Sequence, residues 1–250
     1  MNKRILICND DGFDAPGIKV LEQALEPVGE VFVVAPDAEQ SASSHSLTIR
    51  SPIEIKPVDD HHYRVCGTPT DCIVMAMQVI LDESPDLVVS GINHGPNMGE
   101  DVTYSGTVAA AFEGTILGVP SIAVSALQRS VEDADSNGRF ARMLAERVLE
   151  VGLPDGVLLN VNIPNPDEGE IGGVKVTKLG SRAYFNFIEP AGKRPLQRFY
   201  TIGGEAPVWK DDDGSDIAAV RMGFVSVTPL KLDLTDYRAI VDMERWRFEL

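Results

Sequence analysis

The stretch Ile5-Leu6-Ile7-Cys8, entered at Arg4 and left through Asn9-Asp10-Asp11-Gly12, constrains the chain more than any other. An apolar run of this kind reads as a buried strand, as in parallel sheets covered by helices. In open α/β sheets, ligands bind beyond the carboxyl ends of the strands. Two adjacent carboxylates stand at that point here, and such a pair needs water or a cation. Asp10 and Asp11 therefore read either as holding a divalent metal or as a solvated turn that caps the next helix.

The following segments repeat the pattern. Ile18, Leu21, Leu25 and Val28 lie near one helical face, with Pro16 suited to the first turn. Val31 to Ala35 is a second buried strand, which makes a βαβ unit with a right-handed crossover. Its end opens into Pro36 to Ser46, a serine-rich loop leaving the same sheet edge. That loop reads as a plain surface connection, or as the source of a hydroxyl ligand such as Ser41. His45 within it reads as a base, a substrate contact or an ordinary polar residue. Residues 47–66 read as antiparallel strands, with Asp59-Asp60-His61-His62 as a solvated turn. Thr68, Pro69 and Asp71 form a helix start, and the run Ile73 to Leu81 predicts a well-buried helix.

Asp86 to Ser90 is a third parallel strand, ending in the Gly-, Pro- and Asn-rich loop Gly91 to Gly99. Such a loop is tightly shaped. It brings the amide oxygen of Asn93, a suitable ligand for Mg²⁺, Mn²⁺ or Ca²⁺, toward Asp10 and Asp11. Ser105-Gly106-Thr107 then opens an Ala-rich helix. Its free amides suit a phosphate, and its hydroxyls equally suit a plain helix cap. Ser121 to Ser125 and Gly156 to Ile163 add strands around a helix over 137–150. From Val174 the chain turns to alternating and aromatic-rich segments that read as projecting hairpins. Asp211 to Asp216 reads as a solvated turn, Val225 to Leu230 as a strand and Tyr237 to Phe248 as a helix. The division expected is a core over 1–170 and an arm with a terminal helix over 171–250.

The net charge is −16, with no Lys/Arg stripe, which disfavours nucleic acid polymers and anionic membranes as partners. Cys8, Cys66 and Cys72 form no CxxC pair, and no apolar run reaches the roughly eighteen residues of a membrane span. A cytoplasmic protein is expected. GxxxxGK[ST], a GxGxxG after the first strand, HExxH and GxSxG are all absent. A receiver-like signalling domain would need an Asp where Asn93 stands and a Lys after Ser125, where Ala126-Leu127-Gln128 follows.

Asn9-Asp10-Asp11-Gly12, Val34-Ala35-Pro36-Asp37 with Ser41, Gly67-Thr68-Pro69-Thr70-Asp71-Cys72, Ser90-Gly91-Ile92-Asn93 with Gly95-Pro96-Asn97, and Tyr104 to Ala111 occur in this order. Together they resemble the stationary-phase survival protein SurE family. The resemblance implies an α/β fold: a Rossmann-like, mostly parallel open sheet with flanking helices and a C-terminal β-hairpin arm exchanged in a homodimer or homotetramer. It implies a metal-dependent 5′-nucleotidase acting on nucleoside monophosphates, often 3′ as well as 5′, and in some members also on short polyphosphate. Carried over, the metal ligands are Asp10, Asp11, Ser41 and Asn93, around one Mg²⁺ or Mn²⁺ per subunit. Asn97, Ser105, Gly106 and Thr107 would meet the substrate phosphate. The serine loop departs from the family's usual Arg-Ser-Gly-Ala-Ser. It reads Gln40-Ser41-Ala42-Ser43-Ser44, which draws attention to His45 as a substrate contact. The rival reading from another class is a nucleotide-binding regulatory protein with little turnover.

Overall fold

The computed structural model describes residues 3–127, 134–165, 171–183, 188–194, 197–202, 208–209 and 212–246. Strand β1 (Arg4–Cys8) lies inside a nine-stranded sheet and is buried from Ile5 to Cys8. Its alternating side chains serve two cores. Ile5 and Ile7 face helices α1 (Pro16–Leu25) and α4 (Ala134–Val151), while Leu6 and Cys8 face α2 (Pro69–Met75) and α3 (Gly106–Ile116). Burial on both faces explains the apolar run, because neither side can be polar.

On one side of β1 stand β2 (Glu30–Pro36), β4 (His62–Val65) and β3 (Ile55–Pro57). On the other stand β5 (Leu87–His94), β6 (Ser121–Ala126), β7 (Val157–Ile163), β13 (Val225–Lys231) and β8 (Val174–Val176). β4, β2, β1, β5, β6 and β7 run parallel in that order. β3 is antiparallel to β4 and β13 to β7, and β8 pairs parallel with β13. The sheet is thus the mostly parallel α/β arrangement expected, with both main breaks in polarity near its edges. Parallel strands with helical crossovers bring the loops after β1, β2 and β5, and the start of α3, to one edge.

Outside the sheet, β10 (Ile188–Arg194) and β11 (Gln197–Ile202) form an antiparallel hairpin, and β9 (Arg182–Ala183) pairs with β12 (Val208–Trp209). β8 and β13 come from beyond residue 170 yet belong to the main sheet. Helix α5 (Asp216–Arg221) packs beside β13, and α6 (Tyr237–Met243) has no buried residue.

Several sequence expectations change. Residues 47–54 form no strand. Thr48 is tied instead to Asp71 through its N–H (2.9 Å) and its hydroxyl (2.7 Å). The helix predicted through Leu81 is α-helical only to Met75. Ala76–Ile80 is a wider π turn that leaves Val79 exposed. His62 is not a solvated turn residue: it opens β4, with one ring nitrogen 2.6 Å from Glu22 and the other 2.7 Å from Asp59. The acidic turn near 212 ends in Asp216, which is fully buried. Asp211 lies outside the described residues, as do Tyr184 to Phe187 and Phe248.

Candidate active site

Asp10 and Asp11 follow directly from the end of β1. The turn is fixed by Asn9, whose side-chain Nδ2 donates to the Gly12 carbonyl (2.9 Å) and whose Oδ1 accepts from the Gly12 N–H (3.2 Å). Asn9 thereby spends its polar atoms on the turn and frees the two carboxylates from holding it.

Asp10 is 5% exposed. Its Oδ1 accepts a hydrogen bond from the hydroxyl of Thr107. Burial pushes the Asp10 carboxyl above its ordinary range, and the charge of Asp11 adds to this, while the Thr107 hydroxyl and N–H oppose it. Asp11 is half-buried and accepts from the His94 N–H (3.3 Å). Its carboxyl is raised too, chiefly by burial, with Glu39 adding repulsion and His94 opposing. An acid pair whose ionisation is held back chiefly by burial, with neighbouring carboxylates adding repulsion, is a setting that a cation relieves.

The strand after which Asn93 was placed runs further than expected. β5 continues to His94, with a register shift against β6 between Ser90 and Asn93. Gly91 allows this passage. It has φ +138°, and a Cβ there would stand 2.3 Å from the Val124 carbonyl oxygen. Asn93 Nδ2 donates to the Gly95 carbonyl (2.8 Å), which keeps the amide oxygen outside that bond.

Ser41 lies on the serine loop, and its hydroxyl donates to Glu39 (2.6 Å). The loop is stitched to the rest of the site. The Gln40 N–H donates to the Asp10 carbonyl (2.7 Å), the Ser44 N–H to the Tyr104 carbonyl (3.1 Å), and the Ser44 hydroxyl to the Thr103 carbonyl (2.6 Å). Ala42 and Ser44 both sit at positive φ, 58° and 54°, a conformation that costs L-residues about 1–2 kcal/mol each. The stitching holds the loop against that cost.

Ser105 is the N-cap of α3 and accepts from the Val108 N–H (3.1 Å). Gly106 begins the helix against Asp10. A Cβ at Gly106 would fall 2.7 Å from Asp10 Cβ and 2.8 Å from Ser43 Oγ, so only glycine lets the helix end approach the carboxylate this closely. Among the described residues, Ser43 Oγ is buried without a hydrogen-bond partner.

These elements enclose a cavity of about 640 Å³. Asp10, Asp11, Ser41, Asn93, Asn97 and Ser105 all line it. Thr107 is fully buried behind Asp10. His45 is not among the lining residues. Its Nε2 lies 2.8 Å from Glu113 Oε2, and its ring stacks on Phe112.

Other residues enter that the sequence reading passed over. His94, Asp101, Tyr104 and Ile202 line the same cavity. Asn97 is held by β7: its N–H donates to Asn162 Oδ1 (2.8 Å), and its carbonyl accepts from Asn160 (2.8 Å) and Asn162 (3.0 Å). Two asparagines in an otherwise apolar buried strand were the available signal, since buried amides need partners. Asp216 accepts from the N–H groups of Gly99 (2.9 Å), Gly180 (2.8 Å) and Ile217 (2.8 Å), pinning the end of the Asn93–Gly99 loop.

The donor set of two carboxylates, an amide oxygen and a hydroxyl is all oxygen, which suits a hard divalent cation. Among the described residues, no group of three or more His, Cys, Asp and Glu is placed to hold a metal. Half of the donor set at this edge is amide and hydroxyl instead.

Comparison with known proteins places the chain among relatives of the same fold. The family model described as Survival protein SurE matches residues 5–186. A protein of Aquifex aeolicus named 5′-nucleotidase SurE is 48% identical over 241 residues, covering 94% of each chain. One of Geobacter sulfurreducens with the same name is 45% identical over 247 residues, 97% of this chain and 93% of its own. The crystal structure of the SurE protein from Aquifex aeolicus superposes with a TM-score of 0.84 at 43% identity, covering 96% of this chain and 98% of that one. The family match, the near full-length identity and the shared sheet lead to one assignment: the chain belongs to the SurE family.

Proposed function

We propose that this chain is a metal-dependent 5′-nucleotidase, a phosphomonoesterase that converts nucleoside 5′-monophosphates to nucleoside and phosphate. The observation that carries this reading is the convergence of Asp10, Asp11, Ser41 and Asn93 with Asn97 and Ser105 on one cavity, in a chain whose near full-length relatives are named 5′-nucleotidase.

Asp10, Asp11, Ser41 and Asn93 would hold one divalent cation, Mg²⁺ or Mn²⁺ by the hardness of the donors. When bound, the cation supplies charge neutralisation and polarisation of the phosphoryl group. The chain's own residues supply the rest. Ser105 and Gly106 present the start of α3, where the Gly106 N–H and the helix dipole favour a phosphate, the Val108 and Thr107 amides being taken by Ser105 Oγ and Asp10. Asn97, its backbone held by Asn160 and Asn162 of β7 and its Nδ2 by Ser125 Oγ (2.8 Å), offers a rigid polar contact. Asp10 and Asp11 are the acceptors available to orient a water in line with the ester bond. That water's oxygen bonds to phosphorus as the P–O5′ bond breaks, and the proton the water gives up is matched by the one the leaving alkoxide takes up, so that ester and water become nucleoside and phosphate. Thr107 keeps Asp10 in one orientation throughout.

The reading extends to a homodimer or homotetramer joined through the β10–β11 hairpin and α6. It is supported by the exposure of Ile188 and Tyr200 on the hairpin and of Tyr237 and Val241 on α6. No helix among the described residues is long and apolar enough to cross a membrane. The three free thiols support a reducing, cytoplasmic setting.

Release of inorganic phosphate from a panel of nucleoside monophosphates tests the reading. Release is expected with Mn²⁺ or Mg²⁺ and not with EDTA. Tight nucleotide binding without phosphate release under either condition would make the chain a binding protein instead.

A further inference from the structure

The phosphate chemistry leaves part of the cavity unused. Tyr104 lines it and is 59% exposed. Its backbone is fixed on both sides: the N–H donates to the Asp101 carbonyl (3.0 Å), and the carbonyl accepts from the Ser44 N–H (3.1 Å). Its ring stacks on no other ring, and its hydroxyl has no hydrogen bond, among the described residues. Ile202, 87% exposed at the end of β11, lines the same cavity. An aromatic ring and an isoleucine left open beside polar groups forgo burial that normally stabilises them.

Tyr104 is also the residue immediately before Ser105, the cap of α3. The two Cα atoms are therefore about 3.8 Å apart. A ligand with an anion at the helix start and a flat apolar group a sugar's width away would reach both. Resting on the nucleotidase reading above, we infer that Tyr104 is the nucleobase platform: the base lies face-on against the Tyr104 ring, with Ile202 on the apolar side of the cavity. A platform reads the face of a base and not its hydrogen-bonding edge. Selectivity then follows ring area, so purine nucleotides are preferred to pyrimidine ones, with adenine and guanine treated alike.

The test compares AMP, GMP, CMP and ribose 5-phosphate, which has no base, as substrates and as equilibrium ligands. Wild type, Tyr104→Ala, Tyr104→Phe and Tyr104→Trp are measured side by side. Tyr104→Ala is expected to raise KM for AMP and GMP by about fivefold or more, with a much smaller change in kcat. The preference for AMP over ribose 5-phosphate, in kcat/KM and in binding, should fall by the same factor. Phe and Trp should restore it. Equal losses on AMP and ribose 5-phosphate, or a Phe variant as impaired as Ala, would overturn the platform. Wild type that treats AMP and ribose 5-phosphate alike would also overturn it, while leaving a phosphomonoesterase standing. If no substrate is turned over, the nucleotidase reading fails, and the binding arm still decides the platform by whether Tyr104→Ala weakens AMP more than ribose 5-phosphate.

Discussion

Thr107 donates its hydroxyl to Oδ1 of Asp10 across 97 positions of sequence, from the first turn of α3 to the end of β1. The bond makes a buried carboxylate an aimed one. Groups that orient metal-binding side chains in this way are worth about 10- to 100-fold in affinity or activity. Thr107→Val keeps the shape and removes the donor. It is expected to weaken Mn²⁺ binding and lower kcat/KM by about that factor, whereas Thr107→Ser should retain most of both. Isothermal titration with Mn²⁺ checks the first effect independently of turnover. Valine and serine variants that bind Mn²⁺ equally well would remove Thr107 from the account.

The pH response follows from the direction of two carboxyl shifts. Asp10 and Asp11 are both raised, mainly by burial. The folded, metal-free protein therefore holds protons on them at pH values where the unfolded chain has lost them. Stability contributed by these groups is greatest at low pH and is lost as pH rises through their folded values. A cation needs them deprotonated. Apparent Mn²⁺ affinity should therefore begin to fall at a pH above the ordinary carboxylate range, and the rise in Tm on adding Mn²⁺ should be larger at pH 7.5 than near pH 5 (both about, for an ordinary carboxyl near 4). A metal-induced rise in Tm that does not weaken as pH is lowered through the carboxylate range would show that these carboxylates are not the ligands that titrate.

Asp216 governs the loop from a distance. It accepts three backbone N–H bonds, from Gly99, Gly180 and Ile217. Asp216→Ala leaves buried donors without partners, at about 1–3 kcal/mol for each. A loss of roughly 3 kcal/mol in total is expected, seen as a Tm lower by about 6–12 °C. Activity should fall as well, because Gly99 ends the loop carrying Asn93 and Asn97. Asp216→Asn keeps an acceptor and should be milder. An alanine variant with wild-type Tm would mean that the clamp does not contribute to stability.

What the sequence makes legible is local. The apolar run of β1, the paired acids after it, the capping box of Thr68 and Asp71, and the cap at Ser105 all lie within a few residues of their partners. Each is fixed by short-range chemistry that periodicity and spacing report. Contacts between distant segments are not legible in this way. Nothing near Asn97 says that Asn160 and Asn162 will hold it, and nothing in the acidic run near 212 says that Asp216 will be buried under the Gly99 loop. His45 attracted attention by type and position, yet the fold gives it to Glu113 on α3. Its partner is set by helix packing, which spacing does not encode. The broken helix after Met75 is a similar case: apolar content reads the same in an α-helix and in the π turn that follows it.

The central claim is that Asp10 and Asp11 hold the cation on which hydrolysis depends. Its most direct test is Mn²⁺ titration of Asp10→Asn and Asp11→Asn, with phosphate release from AMP measured on the same samples. Asparagine preserves size and removes charge, so the fold should survive. The account predicts that each variant loses most Mn²⁺ affinity and at least about 100-fold in kcat/KM, a loss of some 2.7 kcal/mol in transition-state stabilisation. Full Mn²⁺ binding together with wild-type phosphate release in both variants would contradict it.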